Sequence, residues 1–397
     1  MTSNDHNLPK KEGKHTGLVK PTIGNFSRNE WAIVGAPCIN IKLLADTVIN
    51  ALSPIYKCAY VDTSHNDEVI SPPGRIANGA YLDYTDQLNY QQFNFKNELK
   101  PYQVKQQFAE TDLVLVNGNH QQAKAQVVVI YENKKASLQK RIEQLTNVEL
   151  ILLDERVEDI FDFIKEAVPN WPNIPIYHLG EIDKIIAFFE TRMQQSIPVL
   201  NGLVLAGGKS VRMGFDKGLA NVYGKEQRYY LADMLKGYCN EVAISCRPDQ
   251  KTEIDSVYKN IEDTFTGLGP FGAILSAFRE NPNQALLVVA CDLLLLDKNT
   301  IEYLIANRNV ANIATAFQSG FDGFPEPLIT IWEPKSYPVL LAFLSQGYSC
   351  PRKVLINSDI TLLQAPDVNA LANINTPEDM ENIKRELHIK MATTNES

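Results

Sequence analysis

The stretch Leu205-Ala-Gly-Gly-Lys-Ser-Val-Arg-Met-Gly-Phe-Asp-Lys217 continues an apolar run that starts at Gly202. A buried strand that runs into paired glycines opens a strand-loop-helix unit, and bare backbone amides at such a turn can approach a polyphosphate closely. Gly207 and Gly208 therefore form the candidate cradle, with Leu205 and Ala206 leading into it. Arg212 and Lys217 lie on the same short excursion, so both cations can reach phosphate oxygens and offset the charge that builds during transfer. Either cation alone reads as solvated surface. Glycines plus both cations after a strand form a far more selective pattern.

Outward from this loop, further strands are expected at 241–246, 285–291, 313–317 and 328–332, with helices at 272–279 and 377–388. Alternating strands and helices predict a doubly wound α/β sheet. Ala290-Cys-Asp292 sets an aspartate immediately beyond a buried strand. In such sheets the ligand crevice lies outside the carboxyl ends of the strands, which aims Asp292 at the nucleotide. Mg²⁺ is a hard ion held by one or two carboxylates plus phosphates, so Asp292 is the candidate metal ligand. An aspartate capping the next element is the alternative.

The loop resembles that of the MobA-like nucleotidyltransferases and, within them, the molybdenum cofactor guanylyltransferases, whose signature is close to Leu-Ala-Gly-Gly-x-Ser-x-Arg-Met-Gly-x-Asp-Lys. The resemblance covers essentially all of residues 199–390. Asp263-Thr-Phe-Thr-Gly-Leu-Gly-Pro-Phe-Gly-Ala273 is similar to the family's Asp followed by Gly-Pro-Leu-Ala-Gly, with Ala273 where the last glycine is usual. Gly323-Phe-Pro-Glu-Pro-Leu-Ile-Thr330 and Ser349-Cys-Pro-Arg-Lys-Val-Leu355 resemble two segments that shape the acceptor side, where Arg352 and Lys353 are candidates for a terminal phosphate. Asn373-Ile-Asn-Thr-Pro-Glu-Asp379 resembles the family's Asn-x-Asn-Thr-Pro-Glu-Asp. Thr376, Pro377 and Asp379 have a sufficient reading as a helix start.

The resemblance implies transfer of GMP from GTP to the molybdenum cofactor with release of pyrophosphate. Arg212 and Lys217 would be catalytic, and Leu205, Ala206, Gly207, Gly208, Lys217, Asp263 and Asp292 would bind the nucleotide. Gly269, Asn373 and Asn375 would face the molybdopterin substrate, and Asp292 would hold Mg²⁺. Recipient molybdoenzymes or their chaperones are the expected protein partners. A cytidylyltransferase of the same cofactor, a transferase acting on another small phosphate, and an idle nucleotide-binding scaffold for cofactor delivery are the alternatives.

The part before this domain also reads as α/β. Strands are expected at 31–34, 59–62, 113–116, 127–131 and 149–153, with helices at 41–52, 135–144 and 157–167. Gly35-Ala-Pro-Cys-Ile-Asn-Ile-Lys-Leu-Leu44 sits where a P-loop would, but Asn40 replaces the second glycine and Lys42 is displaced by one residue. That displacement turns the lysine about 100° around a helix. Asp112-Leu-Val-Leu-Val-Asn-Gly118 resembles a strand of the MobB family, with Asn117 where a glutamate is usual. The segment thus resembles a degenerate MobB-like domain, and an unrelated α/β domain is the alternative.

The expected organisation is a mobile polar tail at 1–28, an α/β domain at 29–197, a Rossmann-like doubly wound nucleotidyltransferase domain at 198–390 and a tail at 391–397. At 397 residues the chain exceeds one ordinary core. With 44% hydrophobic and 21% charged residues it reads as globular, and a net charge of −9 lacks the basic footprint of a nucleic-acid binder. The 6 cysteines show no close ligand spacing and are expected to be reduced thiols in a cytoplasmic protein. No signal segment or membrane span is expected.

Overall fold

The computed structural model describes residues 24–64, 74–207, 217–373 and 378. Gly208, Arg212, Asn375 and the expected helix at 377–388, apart from residue 378, lie outside the described residues, as do both chain ends. The chain packs as two compact units. One holds the described residues of Met1–Asp46, Ala59–Lys105 and Leu113–Glu181, and the other those of Thr47–Cys58, Gln106–Asp112 and Ile182–Ser397.

The N-terminal sheet begins with β1 (Glu30–Val34), α1 (Cys38–Leu52) and β2 (Cys58–Val61). An antiparallel hairpin follows, made of β3 (Leu82–Asp86) and β4 (Gln91–Phe95), and then α2 (Pro101–Gln107), β5 (Leu113–Asn117) and β6 (Ala125–Ile130). α3 (Lys135–Gln139), β7 (Val148–Leu153), α4 (Asp162–Ala167) and β8 (Ile176–His178) complete it. The strand order is β2-β5-β1-β6-β7-β8, and every pairing from β5 through β8 is parallel. β1, β5 and β6 are buried along their whole length, which is why their sequences are mostly apolar rather than alternating, with single polar residues at Glu30, Asn117 and Gln126.

Two expectations change here. Order begins before residue 28: the buried carboxylate of Glu30 accepts from the amides of Asn25 and Phe26, both at 2.7 Å, and of Ser27 at 3.1 Å. It also accepts from Lys124 N at 2.8 Å, so one carboxylate satisfies four donors and holds the segment down. The P-loop frame, in turn, has no loop to use, because only Gly35, Ala36 and Pro37 join β1 to α1. Asn40, Ile41 and Lys42 all lie inside α1, where Ile41 is fully buried and Lys42 Nζ sits 3.4 Å from Asp62 Oδ2.

The second unit runs α5 (Ile182–Gln195), β9 (Leu200–Leu205), a 3-10 turn at Lys217–Leu219, α6 (Gln227–Leu235), β10 (Val242–Cys246), β11 (Lys259–Glu262) and α7 (Pro270–Glu280). Then come β12 (Ala285–Ala290), α8 (Lys298–Ala306), β13 (Ala314–Gln318), β14 (Pro325–Trp332), α9 (Ser336–Ser345), α10 (Pro351–Ile356) and β15 (Ile360–Leu363). α5 belongs with this unit although the sequence boundary near 197 left it in the preceding domain. Its periodicity defines an apolar face, but says nothing of which core that face meets.

The sheet order is β11-β10-β9-β12-β14-β13-β15. β11, β10, β9 and β12 are mutually parallel, β14 is antiparallel to both neighbours, and β15 is parallel to β13. Successive residues face opposite sides of a strand. Accordingly Val204, Ile244, Leu287 and Val289 pack with Leu231 and Leu235 of α6 and Ile301 and Leu304 of α8. Leu203, Ala243, Leu286 and Val288 pack with Phe271, Ile274, Leu275 and Phe278 of α7 on the other face. Helices on both faces make the doubly wound α/β fold. No helix among the described residues is long and apolar enough to cross a membrane.

Candidate functional site

β10 and β11 extend the sheet to one side of β9 and β12 to the other, so the winding reverses at β9, where an open α/β sheet leaves a crevice beyond its strand ends. The register places those ends level, with Leu205 opposite both Ser245 and Ala290, and Cys246 opposite Glu262. Ala206 and Gly207 leave β9 at this rim, Arg247 leaves β10, Asp263 leaves β11, and Cys291 and Asp292 leave β12. Backbone bonds carry the alignment past the strands: Ala206 N donates to Ser245 O at 3.2 Å, Asp263 N to Cys246 O at 2.9 Å and Cys291 N to Leu205 O at 3.3 Å.

Around Gly207 the side chains interlock. Arg247 Nη1 donates to Gly207 O at 2.7 Å, and its Nε donates to Asp249 Oδ1 at 3.0 Å. Ser245 Oγ donates to Asp263 Oδ1 at 2.7 Å. Burial pushes the Asp263 carboxyl above the usual carboxylate range, against the Ser245 hydroxyl and the Arg247 charge, which both lower it. The backbone beyond Asp263 is pinned from α7, where Ser276 Oγ accepts from Thr264 N at 2.9 Å and donates to Gly272 O at 2.7 Å.

The glycines divide by cause. Gly269 has φ +56° and ψ −139°, a region that side-chain-bearing residues avoid, and it opens α7. A Cβ on Gly272 would lie 2.2 Å from the Phe265 carbonyl oxygen, so the close approach falls here and Ala273 is free to carry its methyl into the core. Gly207 differs, because a Cβ there would meet Asp263 Oδ2 at 3.5 Å and Arg247 N at 3.6 Å, ordinary contacts. Among the described residues, packing does not require glycine at 207.

Asp292 sits half-buried, with its Oδ1 removed from solvent. β11 and β12 are separated by β10 and β9, which puts their ends about 14 Å apart at the usual strand spacing. The Asp263 carboxylate leans from β11 toward β9, where it lies against Gly207, while Asp292 leaves the other neighbour of β9. Among the described residues no three His, Cys, Asp or Glu side chains converge on a metal site, but an ion bridging phosphates needs only one or two carboxylates, and a lone Asp292 fits that donor set.

On the far side of the sheet, Arg352 Nη1 contacts Asp322 Oδ2 and its Nη2 contacts Glu326 Oε2, each at 2.9 Å. This ties the 323–330 segment to the 349–355 segment. It also commits the Arg352 charge to two carboxylates, so Arg352 is not held in readiness for a phosphate. Lys353 Nζ lies 5.9 Å from the Tyr348 ring centre. Asn373 is exposed at the end of the described segment. Lys217 opens the 3-10 turn at Lys217–Leu219. Ser245, Arg247 and Ser276 were missed by sequence reading, since a single Ser or Arg after a strand carries no distinctive spacing.

Residues 202–361 match the family described as MobA-like NTP transferase domain. A Synechocystis sp. protein named Molybdenum cofactor biosynthesis bifunctional protein is 36% identical over 182 residues, 45% of this chain and 52% of its own length, so the chain spans about half of that relative. The Molybdenum cofactor guanylyltransferase of Shewanella baltica is 30% identical over 195 residues, 47% of this chain and 97% of its own length. The solved structure of Molybdopterin-guanine dinucleotide biosynthesis protein A from Archaeoglobus fulgidus aligns with 48% of this chain and 99% of its own, at 21% identity and a TM-score of 0.41. With near-complete coverage of one such relative, and its glycine turn and aspartates gathered on one rim of the sheet, the chain belongs to the MobA-like nucleotidyltransferase family.

Proposed function

We propose that the enzyme transfers GMP from GTP to the molybdenum cofactor, releasing pyrophosphate. The observation that carries this reading is the single rim formed by Ala206–Gly207, Asp263 and Asp292 at the point where the winding of the sheet reverses. Gly207 adds support. The described residues leave room for a methyl there, so a glycine at this point is in keeping with a phosphate lying against it.

The terminal phosphate of the acceptor attacks the α-phosphorus of GTP in line, and pyrophosphate leaves. Such transfer needs positioning and charge stabilisation rather than a protein nucleophile. In this reading the amides of residues 206–208 cradle the triphosphate, Arg212 and Lys217 answer the charge gained by the leaving group, and Asp263 holds the nucleoside end. Gly269, Asn373 and Asn375 face the pterin. Asp292 holds Mg²⁺, which when bound neutralises phosphate charge.

A cytidylyltransferase of the same cofactor keeps the chemistry and changes the base, and the Gly207-Gly208 pair favours guanine over it. The test is incubation of the full chain with molybdopterin, Mg²⁺ and each of the four NTPs, following pyrophosphate and the dinucleotide. GTP-dependent product is expected. Use of CTP but not GTP refutes the guanine assignment, and pyrophosphate from no NTP refutes catalysis in favour of a delivery scaffold.

A further inference from the structure

The N-terminal sheet carries its own group of reactive side chains at the carboxyl ends of its strands. Cys38 is the first residue of the fifteen-residue α1, and its Sγ lies 3.3 Å from His120 Nε2, just past β5. Asn119 Nδ2 donates to Ala36 O at 2.8 Å and to Cys38 Sγ at 3.6 Å. Asn119 is itself fixed, with its amide donating to Asn117 Oδ1 at 3.1 Å and its carbonyl accepting from Arg141 Nη2 at 3.2 Å. Cys38, Asn119 and His120 are all half-buried, so the sulfur is sheltered yet reachable.

A thiol becomes a nucleophile as thiolate, and a helix N-terminus together with an imidazole that accepts the proton favours that form. We propose that Cys38, His120 and Asn119 form a nucleophilic cysteine site that reacts with hydroperoxides. His120 takes the thiol proton, and the Cys38 thiolate attacks one peroxide oxygen. An S–O bond forms as the O–O bond breaks, the departing alkoxide or hydroxide takes the proton from the His120 imidazolium, and the products are Cys38 sulfenic acid and an alcohol or water. Sulfur loses two electrons and the peroxide gains them. A hydroperoxide calls on both members of the pair, the thiolate to attack and the imidazolium to protonate the leaving oxygen.

Among the described residues, Asp62, Tyr60 and Arg141 are held by partners of their own. Asp62, beyond β2, accepts from Tyr60 at 3.1 Å and from Asn117 Nδ2 at 2.9 Å, and pairs with Lys42 of α1 at 3.4 Å. Burial, then Asp62, and also Cys38 push the Tyr60 hydroxyl up, so it stays protonated at neutral pH. Arg141 is spent on Asn119 O and on Ser137. The remaining thiols compete poorly: burial pushes Cys58 and Cys246 up to about 11 and Cys239 up to about 12, and Cys291 is buried. Cys350 is exposed and serves as the internal reference.

The test treats the full chain with limiting hydrogen peroxide plus a sulfenic-acid trap, and separately with iodoacetamide, between pH 5.5 and 9, and reads each cysteine by peptide mapping. Cys38, with His120 3.3 Å from its sulfur, should be modified at least about threefold faster than Cys350 at pH 6.5. His120→Gln should slow Cys38 at pH 6.5 to the Cys350 rate while the Cys350 rate itself, the check on folding, does not change. Equal rates for Cys38 and Cys350 in the wild-type chain, or an unchanged Cys38 rate in a folded His120→Gln variant, would overturn the proposal. If His120→Gln does not fold, the wild-type ratio of Cys38 to Cys350 modification decides by itself.

Discussion

The guanidinium of Arg247 donates through Nη1 to the carbonyl oxygen of Gly207 at 2.7 Å, so the residue just past β10 holds the backbone where the chain leaves β9. A second strand thus fixes the glycine turn. Its Nε bond to Asp249 keeps the guanidinium plane in place for that contact.

Arg247→Ala removes a charge-assisted bond worth about 1.5–3 kcal/mol and frees the turn. The expected result is roughly a ten- to hundredfold drop in kcat/KM, mostly through KM for GTP, because the loop must be ordered by the ligand instead. Arg247→Lys keeps a donor without the fork and should recover part of the loss. Steady-state kinetics on both variants decide it, and an unchanged KM would refute the positioning role.

Asp292→Ala should lower turnover at least about a hundredfold, the scale of removing one key electrostatic element from a transfer site. The melting temperature should change little. Near-normal activity at saturating Mg²⁺ would sink the metal assignment.

Asp263→Asn tests a conflict between stability and binding. Burial raises the folded pKa above the unfolded one, so the native state holds its proton to higher pH and stability falls as pH rises through the folded value. At neutral pH the ionised carboxylate is therefore a net cost. The variant should be more stable than wild type at pH 7, by less than about 1 kcal/mol for a group still partly screened by water. The gap should close as the pH is lowered through the folded pKa. GTP affinity should drop at the same time, and a thermal melt series read beside nucleotide titrations measures both. A variant less stable at pH 7 contradicts the assignment.

Two glycine substitutions should part company. At 207 an added methyl meets none of the described residues closer than 3.5 Å, so Gly207→Ala should stay within about 0.5 kcal/mol of wild-type stability while losing GTP turnover. At 272 the methyl would lie 2.2 Å from backbone oxygen. Alanine gains about 1 kcal/mol in a helix, but overpacking of this kind costs about 1–3 kcal/mol, so Gly272→Ala should be destabilised. Denaturant melts of the pair would expose a wrong ranking at once.

Much of the second unit was legible because β9, β10 and β12 are largely apolar runs and paired glycines follow one of them. β11 escaped, since Lys259-Asn-Ile-Glu262 is an edge strand with a single buried side chain. β14 was found but not its direction, which depends on strand pairing rather than on its own residues. The hairpin of β3 and β4 also escaped, because its outward aromatics break the alternation that marks a half-buried strand.

The sequence by itself determined the family, the glycine turn and the two aspartates, because those signals are local: residue types at fixed spacing after an apolar run. Only the tertiary structure decided that Asp263 and Asp292 stand on the two sides of β9, that Arg247 and Ser276 hold the rim, and that Arg352 is tied to Asp322 and Glu326. It also turned a near P-loop into the head of a helix carrying Cys38 beside His120. These are relations between strands far apart in the chain, set by sheet order and packing, and nothing in the spacing of either partner records them.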